Sequence, residues 1–145
     1  MPAQPSANVT YKTVSQAAPA ANTEQLITVP ATTKGWYIYS VFLPLVQGIT
    51  QTPLPLLQFK DAAGNLWMES TGSTTAQAVS TTTAYSWAPG MLLTGQIGTA
   101  AAVHSNAPIP DALICLPGFT IGTVTIGIGA NSQYGIMRLM VAEYA

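Results

Sequence analysis

Four Lys or Arg, five Asp or Glu and a single His are all the charged and titrating chemistry the 145 residues offer, apart from tyrosines and one cysteine. His104, in Val103-His104-Ser105-Asn106, has Asp111 nearby in the chain. A Ser-His-Asp arrangement needs a nucleophile, a base and an orienting acid held together. One His near one Asp arises by chance, and no Gly-x-Ser-x-Gly elbow accompanies it. Asp61 and Glu69 flank one turn, and paired carboxylates can hydrolyse glycosides; here they read as solvating the turn and its edge. Cys115 lies between Ile114 and Leu116, so it reads as a buried, inert thiol without a disulfide partner. One His and one Cys cannot supply the several-His metal set of a cupin-type enzyme. Gly122, Gly127, Gly129 and Gly135 fall in strand-alternating sequence rather than in a phosphate-cradling loop. No catalytic, cofactor-binding or metal-ligating residue is assigned, and a non-enzymatic protein is expected.

Arg138 stands out for a different chemistry. In Ile136-Met137-Arg138-Leu139-Met140-Val141 it shares one strand face with Ile136 and Met140. A cation among methionines either snorkels to solvent or pairs with a carboxylate of a neighbouring subunit, with Glu143 and Asp111 as candidates.

The elements that must position these residues read as strands. Hydrophobic residues make up 48% of the chain and charged residues only 6%, against about 25% in ordinary domains. Thr, Ser, Gln and Asn supply the polar surface instead, 42 residues in all. A surface so weakly charged, with net charge -1, has little electrostatic protection against association, which suits a protein covered by partners in an assembly. The four cations are dispersed, so phosphate binding is not expected. The longest apolar region, Gly35 to Val46, is interrupted by Ser40 and Pro44 and is too short to span a membrane as a helix. The start, Met1-Pro2-Ala3-Gln4-Pro5, lacks the basic and apolar segments of a signal peptide.

Residues 1–22 read as an extended N-terminal arm, with Val9 to Val14 able to form one short strand. Residues 23–145 read as a single β-domain. Strand signals run through Glu24 to Val29, then Trp36 to Leu43, where both alternate sets are apolar or aromatic and one face therefore needs covering by another element or another chain. Leu54 to Lys60 and Asn65 to Glu69 flank Asp61-Ala62-Ala63-Gly64, a turn with Gly at the left-handed position. Ser70 to Thr83 is a Ser/Thr-rich loop or edge, and Tyr85 to Trp87 is a short strand. Met91 to Ile97 offers a further strand and Gly98 to Pro110 a connector. Thr123 to Ile128 alternates strictly; with the apolar run ending at Tyr144 it reads as a hairpin across the loop Ala130 to Tyr134. Eight or nine short strands without an amphipathic helix predict an all-β, jelly-roll-like β-sandwich.

The run Leu116-Pro117-Gly118-Phe119-Thr120-Ile121, the strand-loop-strand through Asn131-Ser132-Gln133-Tyr134, and the ending Leu139-Met140-Val141-Ala142-Glu143-Tyr144 resemble the close of small virion proteins of tailed bacteriophages. Those are β-sandwich or jelly-roll proteins that decorate or cement the head, often as trimers with an N-terminal arm over neighbouring capsid proteins. The resemblance implies a homotrimer on the outer capsid surface that bridges major capsid proteins, made in the host cytoplasm and binding neither nucleic acid nor membrane. On that expectation Tyr11 and Val14 anchor the arm to the capsid, and Trp36, Tyr37, Tyr39, Arg138 and Met140 form the subunit interface. The alternative is a carbohydrate-binding tail or spike module whose Trp67, Tyr85 and Trp87 stack on host glycans, although core packing explains these aromatics equally well.

Overall fold

The computed structural model describes residues 8–99 and 102–145. Among them are twelve strands: β1 (Val9–Gln16), β2 (Leu26–Thr28), β3 (Gly35–Gln47), β4 (Leu54–Lys60), β5 (Leu66–Thr71), β6 (Thr82–Ala88), β7 (Ile97–Thr99), β8 (Ala102–Pro108), β9 (Ile114–Cys115), β10 (Thr120–Ile126), β11 (Ser132–Tyr134) and β12 (Met137–Tyr144). They form two packed sheets, so the chain is an all-β sandwich. The larger sheet runs β1-β12-β3-β6-β8-β7, with β9 and β11 paired to parts of β3; the smaller runs β2-β10-β4-β5.

This order has a simple origin. The pairs β1·β12, β2·β10, β3·β6 and β4·β5 are all antiparallel. They are the rungs of one long hairpin folded at the β4–β5 turn. Rolling that ribbon so that β12 meets β3 and β10 meets β4 closes it into two four-stranded sheets. The eight strands so placed have the jelly-roll order. The segment between β6 and β10 adds β8, parallel to β6, and β7 beyond it.

Several expectations need correcting. Thr123 to Ile128 and the C-terminal run do not form a hairpin, because β10 and β12 lie in opposite sheets. The short link between them crosses the sandwich instead of turning back in one sheet. The segment read as a connector, Gly98 to Pro110, contains β8: Val103, Ser105 and Ala107 alternate inward and are buried. Met91 to Gln96 is not a strand. Of the N-terminal arm, residues 1–7 lie outside the described residues, while Val9–Gln16 is an edge strand of the large sheet.

The β4–β5 hairpin forms as its turn residues dictate. Asp61 Oδ1 accepts from the Ala63 and Asn65 backbone N–H groups, each at 2.9 Å, and Gly64 takes φ +86°. The core lies between the sheets. From β3 it takes Trp36, Ile38, Val41, Leu43 and Leu45; Tyr85 and Trp87 come from β6, Leu57 and Phe59 from β4, Ile121 from β10, and Leu139 and Val141 from β12.

β3 explains how one strand serves two faces. Its register with β12 passes from Ser40↔Met140 to Ile38↔Val141, leaving Tyr39 as an extra residue. A bulge of this kind shifts the inward parity by one. Even-numbered Trp36 and Ile38 point inward before it, and odd-numbered Val41, Leu43 and Leu45 after it. Pro44 sits in this central strand without loss, at the point where β12 ends its pairing and β11 takes over. There Pro44 is needed only as an acceptor, for the Gly135 N–H at 2.9 Å.

Two polar clusters tie the sandwich together. Glu24 accepts from the Thr123 hydroxyl (2.6 Å), the Thr125 N–H (2.7 Å) and the Thr125 hydroxyl (2.8 Å). Since the Thr125 proton is used there, the buried Tyr134 hydroxyl donates to Thr125, linking the two sheets. Gln77, fully buried, donates to the Leu45 and Thr81 carbonyls and accepts from the Tyr85 hydroxyl.

Candidate interaction surface

The sandwich covers only one side of each sheet, and what the chain leaves on the other side is informative. From the large sheet, β3 turns Tyr37, Tyr39, Phe42, Pro44 and Val46 outward, and β12 turns Arg138 and Met140 outward. β1 adds Tyr11, the most exposed of the tyrosines in this group at 72%. The ring centroids of Tyr11 and Tyr39 are 6.0 Å apart and those of Tyr37 and Tyr39 4.7 Å, both pairs tilted. Tyr37 and Tyr39 share the outer side by strand parity and Tyr11 joins them across Ala142, while the bulge keeps Ser40 on that side as well. Tyr11, Thr13, Tyr39 and Met140 border an open cleft floored by Val141.

Hydrogen bonding orders one end of this surface. The Tyr37 hydroxyl donates to Asp111 Oδ1 at 2.9 Å and accepts from the Ala112 N–H at 3.1 Å. The Asp111 carboxylate raises the Tyr37 pKa, since it holds the phenolic proton. At the rim, Lys12 Nζ meets Glu143 Oε2 at 2.8 Å, and the same oxygen accepts from Trp36 Nε1 at 2.8 Å. Lys12 and then the indole hold the Glu143 carboxyl below its ordinary range. The two carboxylates considered as partners for Arg138 are thus each engaged within the chain. Arg138 makes no ion pair among the described residues.

Of the expected interface residues, Tyr37, Tyr39, Arg138 and Met140 share this face, with Tyr11 beside them. Trp36 does not: it points inward and is 1% exposed, so it is a core residue. Val14 also points inward, half-buried against the core, and holds β1 to the sandwich rather than reaching outward. The glycan-stacking set fails as a set. Tyr85 and Trp87 are fully buried and stacked on one another at 5.9 Å, and only Trp67 is exposed, set edge-on against Phe119. Burial pushes the Tyr85 hydroxyl up to about 12. The packing around this pair is so close that a Cβ on Gly72 would come within 2.8 Å of the Tyr85 ring.

The chemistry considered from sequence is not assembled. His104 lies on β8 opposite Ala84 and Ile97, while Asp111 serves Tyr37. Ser105 points inward and donates to the Gly72 carbonyl at 2.8 Å. Asp61 caps its own turn, and Glu69 accepts from Gln58. Cys115 is buried, which pushes its thiol up to about 12 and makes it a poor nucleophile. Among the described residues no group of three or more His, Cys, Asp and Glu could hold a metal ion.

One surface escaped the sequence reading. The outer side of the small sheet carries Leu54 opposite Ile126 and Leu56 opposite Val124, flanked by Leu26. Its signal was present, because Leu54-Pro55-Leu56-Leu57 is apolar at both parities, as in β3. The fold therefore defines a two-sheet β-sandwich of jelly-roll order with apolar, weakly charged outer faces. No protein-family model, curated protein or solved structure matches the chain.

Proposed function

We propose that the protein is a non-enzymatic structural component of a virion, a decoration protein that stabilises a bacteriophage capsid by bridging neighbouring major capsid proteins. The observation that carries this reading is the outer face of the large sheet. It presents Tyr11, Tyr37, Tyr39, Phe42, Pro44 and Met140 on a rigid scaffold with one formal charge, Arg138, among them. Tyrosine, methionine and arginine are the residues enriched where proteins meet. A contact that buries about 1,000 Å² of partly apolar surface is worth many kcal/mol gross by area, before ordering costs reduce it. Repetition of such contacts over a symmetric shell adds avidity without stronger individual contacts. Because few charges take part, binding depends little on salt.

The test is the copy number of this chain in purified particles of its source, by quantitative mass spectrometry against the major shell protein. Near parity with the shell, together with release at lower temperature for particles carrying Tyr39→Ala, is the expected result. Absence from the particle overturns the proposal.

A further inference from the structure

Among the described residues β1, β2, β5, β7, β9 and β11 are each paired on one side only, and all but β1 are poor templates for another strand. β9 has two residues and β11 three. β2 and β7 have three residues each, and β5 lies across a register irregularity at Phe59/Lys60 and carries Glu69. β1 is different: eight residues without Pro, Gly or bulge, paired on one side only among the described residues. Short length, bulges, Pro and charge are the devices that protect sheet edges from pairing. The single charge in β1, Lys12, is already neutralised by Glu143.

The backbone shows which groups are available. Ala145 N–H donates to the Asn8 carbonyl, whereas the Tyr144 carbonyl is turned the other way and accepts from Lys34. In an antiparallel ladder successive residues turn their N–H and C=O to alternate sides. Asn8, Thr10, Lys12, Val14 and Gln16 therefore bond to β12. Val9, Tyr11, Thr13 and Ser15 direct their donors and acceptors away from the sheet.

We infer that β1 is the edge through which two copies of this chain pair, antiparallel about a two-fold axis, joining their large sheets into one. A second copy meets the requirement with the same groups on both sides, and centring the axis on Lys12 uses the whole strand. Tyr11 of one copy then faces Thr13 of the other, and Val9 faces Ser15, all four on the outer face and on hydrogen-bonding positions. The highly exposed Tyr11 ring gains cover, and the two tyrosine clusters become one surface. Lys12 meets Lys12 across the axis, a like-charge pair that each copy offsets with its own Glu143, 2.8 Å from the ammonium, and the net charge of -1 adds little further repulsion. The inference is independent of the virion reading. It gives a dimer, whereas the phage resemblance implies a trimer.

The experiment is sedimentation equilibrium of the full chain from micromolar to millimolar concentration, for the wild type and for Thr13→Pro. Pro at residue 13 removes an outward donor and leaves the β12 ladder intact. A dimeric wild type and a monomeric Thr13→Pro with an unchanged circular dichroism spectrum are expected. A monomeric or trimeric wild type, or a folded Thr13→Pro that remains dimeric, overturns the inference. Should Thr13→Pro not fold, Lys12→Cys decides. On the axis, at a non-hydrogen-bonded position, the two cysteines have Cα atoms about 4.5 Å apart and close to a disulfide on mild oxidation. A cross-linked dimer supports the pairing, and its absence overturns it.

Discussion

Trp36, Tyr85 and Trp87 on one side of the large sheet, and Tyr11, Tyr37 and Tyr39 on the other, are aromatic residues of similar size in strands of similar sequence. The first three are at most 1% exposed, and the Tyr85 and Trp36 polar atoms are bonded inside the protein. Tyr11 and Tyr39 lie open beside a cleft, and Tyr37 is tied at its hydroxyl to Asp111. What separates Trp36 from Tyr37 is strand parity. What places Tyr39 and Ser40 on the same side is the bulge. Aromatic content therefore says little about an interaction surface until the register is known.

The comparison can be broken by experiment. Trp87→Ala should cost about 3–5 kcal/mol in chemical denaturation, because it opens a cavity where Tyr85 and Gly72 are in contact. A cost as small as that of an outer-face change would mean that Trp87 is not a core residue. Glu24→Ala comes next, at about 2–3 kcal/mol, since the Thr125 N–H and two hydroxyls lose their acceptor. Here the sharper check is hydrogen exchange, with protection of the Thr125 amide expected to fall more than that of the β3 amides.

The Lys12–Glu143 pair sits at the rim between the two regions and should matter less, below about 1 kcal/mol. Its sign is definite. A carboxyl held low in the folded state stabilises fully above its unfolded pKa, and that contribution disappears as pH falls through the lower folded value. Lys12→Ala should therefore reduce stability at neutral pH and flatten the acid limb of the stability profile. An acid limb identical to wild type would show the pair to be without effect. Tyr39→Ala is the smallest, within about 0.5 kcal/mol of wild type for the isolated domain. A loss of several kcal/mol would put Tyr39 in the core and end the distinction.

Local chemistry made some of this legible in advance. The β4–β5 hairpin was readable because Asp61 and Gly64 close it by bonds within five residues. Thr123 to Ile126 was readable as a strand because its inward and outward residues alternate strictly. β8 was missed because Ala-Val-His-Ser-Asn-Ala-Pro is polar and Pro-terminated; it becomes a strand only by lying along β6. In the candidate surface, Tyr37, Tyr39, Arg138 and Met140 were identifiable as apolar or cationic residues at positions needing cover, while Trp36 and Val14 were assigned to the wrong side. Trp36 precedes the bulge, and an extra residue in β3 cannot be seen without β12 beside it.

The sequence by itself determined the class: an all-β chain with a nearly uncharged polar surface and a central strand apolar at both parities. Only the tertiary structure decided that β10 and β12 belong to opposite sheets, that Tyr85 and Trp87 are interior, and that β1 is the long edge strand among the described residues. The physical reason lies in the range of the interactions. Turn and alternation signals act over a few residues, whereas the ladder that joins Val9 to Tyr144 and the bulge that reverses β3 depend on partners at the other end of the chain.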